Sequence, residues 1–249
     1  MRRYIRAPRT HRPPPAVYGP PAMPMPIVVP DEASFVPVEP TRAERKFSMT
    51  STASHRGSIV DDRTGRQHVY ESRFEELVLL LAMASEDVVA IDEQVRIDWV
   101  DDDGEIHDYF IDLRLTLRNG RRVGVAVKPA DRVESSRIED VHRRVLARHG
   151  TSVADAFEVR TERDIHPDDV ADARLVIHAR RMPDPMADDR LDRLIPSLVG
   201  WCRLSELADA IASDGIGFCS VVRAIAARRL EVRDGERIAS TCFVRLRHS

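Results

Sequence analysis

Three observations predict a mixed α/β chain with a smaller unit at its C-terminal end. A run with helical apolar spacing near residue 74 is followed by three runs with strand alternation. A further helix, strand and helix then follow in that order. Last, a Pro-Asp-Pro break at Pro183 to Pro185 separates these from a tight succession of short helices and strands. At 249 residues the chain has room for one medium domain and one small one.

In YESRFEELVLLLAMASEDVV the positions Phe74, Leu77, Val78, Leu80, Leu81 and Ala84 recur at the 3.6-residue period, and Ser72 is placed to cap the helix. Beyond it, Val95, Ile97 and Trp99 share one strand face, as do Leu113, Leu115 and Leu117. Turn signals at Asp102-Asp103-Gly104 and Asn119-Gly120 join these runs to a third, Val123 to Val127, which makes a three-stranded antiparallel meander. Residues 136 to 149 place Ile138, Val141, Val145 and Leu146 on one side of a helix closed by Gly150. Phe157 to Thr161 reads as a strand, and Asp168 to Met182 as a helix opened by Pro167. Together these predict an α/β unit over 67–182.

Before it, residues 1–66 are rich in Pro and Arg, with segments such as RPPPAVYGPPAMPMP that build neither a helix nor a central strand. A mostly disordered arm is expected there. After the break, 187–249 predicts a helix, a second at Ser205 to Ile211, a Gly-containing turn, a third at Phe218 to Arg229, and two short strands around Asp234-Gly235. That is the layout of a winged helix-turn-helix, a module that either reads DNA or docks proteins. Arg223, Arg228 and Arg229 are its candidate DNA contacts, within a local excess of four positive charges.

Composition excludes some classes. No apolar run approaches 18 residues, so no membrane span is expected. Cys202, Cys219 and Cys242 are widely spaced without a CxxC pair, which argues against a disulfide frame or zinc site and fits a cytoplasmic setting. The net charge of −3 decides nothing about nucleic acid, because only local patches matter. Of 38 basic residues only Lys46 and Lys128 are lysines. An ammonium kept among guanidiniums is a candidate for chemistry that a compact charge performs.

Glu75 on the first helix, Asp112 on the second strand and Lys128 at the end of the third form the candidate site. Two carboxylates suit Mg²⁺, which neutralises a phosphate and acidifies water, and a nearby ammonium can orient that water or steady developing charge. Each also has an ordinary explanation: Glu75 lies three residues after Ser72, as in a capping box; Asp112 can pair with an arginine; Lys128 can simply end a strand.

The stretch Tyr70 to Pro129 resembles the catalytic domain of the TnsA endonuclease family, nuclease subunits of heteromeric transposases in the restriction-endonuclease-like PD-(D/E)xK superfamily. The resemblance rests, in order, on YESRFE, Glu93-Gln94, FIDLRL, RNGRR and AVKP, and DIHPDDVADARLVIHARR extends it to about residue 182. It implies a restriction-endonuclease-like mixed-sheet core with flanking helices, Glu75 and Asp112 as metal ligands, and Lys128 as the catalytic lysine. Two positions depart from the pattern. Ile111 precedes the aspartate, and Ala126 stands where an acid or glutamine is usual. The Val127 backbone carbonyl and waters would then complete the Mg²⁺ shell, with Mn²⁺ able to substitute. Glu134 or Glu139 could help hydrate a second ion, but as helix surface residues they are expected to be solvated.

What the resemblance implies for function is a Mg²⁺-dependent endodeoxyribonuclease that nicks double-stranded DNA at the 5′ ends of a transposon. Its partners would be a DDE-type transposase (TnsB-like) and an AAA+ ATPase regulator (TnsC-like) docked on the C-terminal unit. Two alternatives stand beside it: a stand-alone restriction or repair nuclease, and a scaffold in which Ala126 has ended catalysis.

Overall fold

A computed structural model of the chain describes residues 37–45, 55–213 and 215–247. Order begins earlier than the sequence suggests. Strand β1 (Gly57–Val60) pairs antiparallel with β2 (Gln67–Tyr70), so the last part of the expected arm is a hairpin. Asp61 closes its turn: the carboxylate accepts from Arg63 N–H at 2.9 Å and the carbonyl from Gly65 N–H at 2.8 Å. Most of the arm, 1–36 and 46–54, lies outside the described residues.

Helix α1 (Arg73–Ala84) starts at Ser72, whose hydroxyl accepts from Glu75 N–H at 3.1 Å. It buries Val78, Leu79, Leu80, Ala82 and Met83. Then come β3 (Val88–Val100), β4 (Ile106–Leu117) and β5 (Arg122–Val127), the antiparallel meander read from alternation and turn residues. Helix α2 (Ile138–His149) carries the chain back, so β6 (Ala156–Arg160) joins β5 in parallel. The mixed sheet has the order β3-β4-β5-β6. Helix α3 (Pro167–Arg180) follows and packs against α1.

Two apolar clusters share the long β3–β4 hairpin. One joins Leu79 and Met83 of α1 to Ile91, Leu113, Val125 and Ile177; the other joins Ile97 and Ile111 to Val145 of α2. Both strands pass from one cluster to the other between Ile91 and Ile97 and between Ile111 and Leu113. Gln94 and Asp112 mark that crossing.

The C-terminal region contains α4 (Pro185–Leu194), β7 (Cys202–Arg203), α5 (Leu204–Ile211), α6 (Ile216–Ala226), β8 (Leu230–Val232) and β9 (Phe243–Leu246). Its antiparallel sheet has the order β7-β9-β8. One detail corrects the sequence reading. The helix expected over Phe218 to Arg229 ends at Ala226, because Arg228 adopts a left-handed φ of 57°. The two short strands expected around Asp234-Gly235 are β8 and β9, paired antiparallel with residues 233–242 between them. The C-terminal core takes in Val176 and Ala179 of α3, so packing runs on across the expected boundary at 182–187. No helix among the described residues is long and apolar enough to cross a membrane.

Candidate active site

The β4–β5 register aligns Leu113 with Val125, which puts Asp112 one step on, level with Ala126. The Asp112 carboxylate accepts from Val127 N–H at 2.8 Å, and its Oδ2 is 3.9 Å from Lys128 Nζ. Lys128 is held by its own N–H, which donates to the Arg160 carbonyl at 2.9 Å and extends the β5–β6 pairing. Its side chain is one-third exposed, at 33%, against 12% for Asp112. The ammonium therefore reaches solvent while the carboxylate is largely enclosed.

Glu75 receives the Ser72 cap on its N–H, but its carboxylate does not close the capping box on Ser72 N–H. Its Oε1 accepts from Ser72 Oγ at 2.9 Å and its Oε2 from Glu71 N–H at 2.9 Å. Burial raises its pKa above the ordinary glutamate value, and the Asp112 charge raises it further. Asp112 is also raised, by burial first, against the opposing pull of Lys128, Val127 N–H, the Gln94 side chain and Arg45. The two carboxylates are thus neighbours that repel each other, drawn from a helix start and a central strand.

Three residues with no role assigned from the sequence stand around this pair. Gln94 is 1% exposed and has a left-handed φ of 50° inside β3. Glu71 pairs with Arg45 at 2.9 Å, and the Arg45 guanidinium lies over the Phe110 ring, 5.6 Å from its centroid. The adjacent Glu93 faces elsewhere, holding His68 Nδ1 at 2.8 Å and the Thr41 hydroxyl in a buried polar cluster. For Gln94 the sequence signal was the Glu93-Gln94 pair. Arg45 lies too far along the chain for spacing to link it to Asp112.

Ala126 is fully buried, at 0%, and brings no side-chain oxygen. Val127 meets Asp112 through its N–H. Glu139 is exposed on α2, as expected, and Glu134 is exposed in the turn before it rather than on a helix. A separate group, Asp101, Glu105 and His107, gathers at the tip of the β3–β4 hairpin. Asp101 there accepts from His107 Nε2 at 2.7 Å and from the N–H groups of Asp103 and Glu105, which is the bonding of a closed turn.

The C-terminal cations are engaged within the chain. Arg223 binds Asp188 through two nitrogens, at 2.6 and 3.2 Å, and donates to the carbonyls of Ala179 at 2.9 Å and Met182 at 2.7 Å. Arg228 pairs with Asp87 and Arg229 with Asp192, both on the surface. The structure therefore places Arg228 and Arg229 beyond the end of α6 and turns Arg223 inward.

No protein-family model matches the chain, and no curated protein matches it.

Proposed function

We propose that this chain is a metal-dependent DNA endonuclease of the restriction-endonuclease-like class, acting as a TnsA-like subunit that nicks the 5′ ends of a transposon. The observation that carries the reading is the meeting of Glu75, Asp112 and Lys128 from three separate elements. The helix, antiparallel meander and parallel return strand agree with the core expected of that class.

The residues fit a divalent cation. Two enclosed carboxylates, both raised by burial and Glu75 raised further by the Asp112 charge, are relieved by a shared positive charge, and hard oxygen donors select Mg²⁺ or Mn²⁺. Glu75 and Asp112 would hold the ion, with the Val127 carbonyl as a further oxygen. The ion would supply Lewis acidity toward a phosphate oxygen and a more acidic water. Lys128 is exposed enough to bind the phosphate while its partner Asp112 stays fixed by Val127 N–H. The Arg45 guanidinium, paired with Glu71, adds a second positive charge that lowers the Asp112 pKa.

For the C-terminal region, α5, α6 and the three short strands support a winged-helix reading. Helix α6 buries Gly217, Ser220, Val221, Val222 and Ala224, and its one arginine points inward. A helix so enclosed favours docking of a protein partner, the ATPase regulator or the transposase, over insertion into a DNA groove. Ala126 favours one rival, a scaffold without catalysis.

The deciding experiment is nicking of a transposon-end duplex with Mg²⁺ or Mn²⁺, in the presence of the transposase and ATPase partners. Nicking that requires the cation and is lost in Asp112→Ala supports the nuclease. Its absence from the fully reconstituted mixture leaves the scaffold. Nicking of unrelated duplexes without partners points to a stand-alone nuclease.

A further inference from the structure

The registers of β3, β4 and β5 set three residues in one rung. Glu93 aligns with Leu113 and Val95 with Ile111, so Gln94 is level with Asp112 on one side, as Ala126 is on the other. One neighbour of Asp112 is an alanine without a polar side chain; the other is a buried amide. Gln94 is 1% exposed, its side chain donates to the Asp112 carboxylate, and its Oε1 is buried without a partner among the described residues. Its φ of 50° is a conformation that a long side chain rarely adopts within a strand. Strain and an unmatched acceptor at one buried residue are features that a site retains when the side chain has work there.

We propose that Gln94 is a positioning residue for the divalent cation: its amide N–H fixes Asp112, and its Oε1 accepts a hydrogen bond from a water on that cation. The proposal rests on the metal-dependent reading of the Glu75–Asp112 pair. It explains how a site with alanine at 126 keeps a third polar group in the rung. Mg²⁺ retains several waters when only two carboxylates bind it, and such waters need acceptors. Hydrogen bonds to a ligating carboxylate and to the water beside it are the interactions that outer-sphere residues supply.

The test measures Mn²⁺ binding by calorimetry on the full chain, with and without an uncleavable DNA duplex, for the wild type, Gln94→Gly, Gln94→Glu and Asp112→Ala. Glycine adopts the left-handed φ without strain, so Gln94→Gly keeps the backbone while removing the amide. Circular dichroism confirms the fold of each variant. The expected result is a loss of about tenfold or more in Mn²⁺ affinity in Gln94→Gly, the scale of outer-sphere substitutions. Gln94→Glu restores an acceptor and retains more affinity than the glycine variant, and Asp112→Ala abolishes binding. Wild-type affinity in a folded Gln94→Gly overturns the role of Gln94 and leaves the metal site standing. No Mn²⁺ binding by the wild type, even with DNA, overturns the metal reading and this proposal together.

Discussion

Asp112 and Lys128 face each other across β4 and β5 with carboxylate and ammonium 3.9 Å apart, an ion pair but too long for a direct hydrogen bond. Asp112 spends its short bond on Val127 N–H instead, at 2.8 Å. The ammonium is thereby held near the site yet free to turn toward an incoming phosphate.

Lys128→Arg should therefore fold normally and lose at least about 100-fold in nicking rate, the scale of removing one preorganised donor. Arginine keeps the charge, but its planar fork cannot occupy the same point. Single-turnover cleavage of a transposon-end duplex with partners present makes the measurement. Wild-type rates in the folded variant would remove Lys128 from the chemistry.

Arg223 gives a prediction of the opposite kind, about stability. Its side chain is 14% exposed and is shared between Asp188 and the carbonyls of Ala179 and Met182, linking α6 to the end of α3 and the start of α4. Arg223→Glu sets two carboxylates together and strips those carbonyls of their donor. The expected loss is about 3 kcal/mol, at the low end for breaking a buried pair because Asp188 retains some exposure. Arg228→Glu disrupts only an exposed pair and should shift the melting temperature far less. Thermal denaturation of both variants decides, and equal small shifts would show that Arg223 does not hold the two parts together.

These cases show what the sequence made legible. Ser72 and the apolar spacing after it marked α1 because a cap and a period are local facts. Alternation and turn residues marked the meander, and with it the neighbourhood of Asp112 and Lys128. Arg223 could not be sorted from Arg228 in the same way. All were cations in one charged stretch, and only the packing of α6 on α3 turned the first inward. The β1–β2 hairpin was missed because its apolar content is small and its stability comes from Asp61 and the buried His68–Glu93 contact, which join distant residues. Gln94 carried no periodic signal; its left-handed backbone appears only in three dimensions.

His142 predicts a pH dependence. It is 5% exposed, stacks on Phe157 with centroids 4.5 Å apart, and its Nε2 is 2.8 Å from the Tyr109 hydroxyl. Burial first, then the Lys128 charge, lowers its pKa to about 4. The unfolded chain takes up this proton near pH 6.5, the folded chain near 4. Between those values the unfolded state binds more protons, so stability falls as pH drops from about 6.5 to about 4, by up to about 3 kcal/mol. Below 4 this group contributes no further loss. Urea denaturation across that range should show the slope, and His142→Gln, which keeps an acceptor for Tyr109, should flatten it. An unchanged slope in the variant would assign the acid sensitivity to other groups.

Ala126 supplies the sharpest test of whether the carboxylate pair is a cation site. The position is 0% exposed and level with Asp112, and side chains directly opposite on paired strands lie on the same face. Ala126→Glu therefore brings a third carboxylate beside Asp112, whose charge already raises Glu75. Without a divalent cation the variant should melt below the wild type, from charge repulsion and from extra volume in a packed strand. Ala126→Gln separates these causes, since it adds nearly the same volume without the charge. Saturating Mn²⁺ should then raise the melting temperature of Ala126→Glu more than that of either the wild type or Ala126→Gln. A cation present at a hundred times its dissociation constant adds about 2.7 kcal/mol to the folded state, a shift of several degrees. The same protein should show greater nicking activity if the alanine alone limits turnover. Melting curves of all three proteins that ignore Mn²⁺ even with an uncleavable duplex present would mean that the Glu75–Asp112 pair binds no such ion, and the scaffold reading would replace the nuclease.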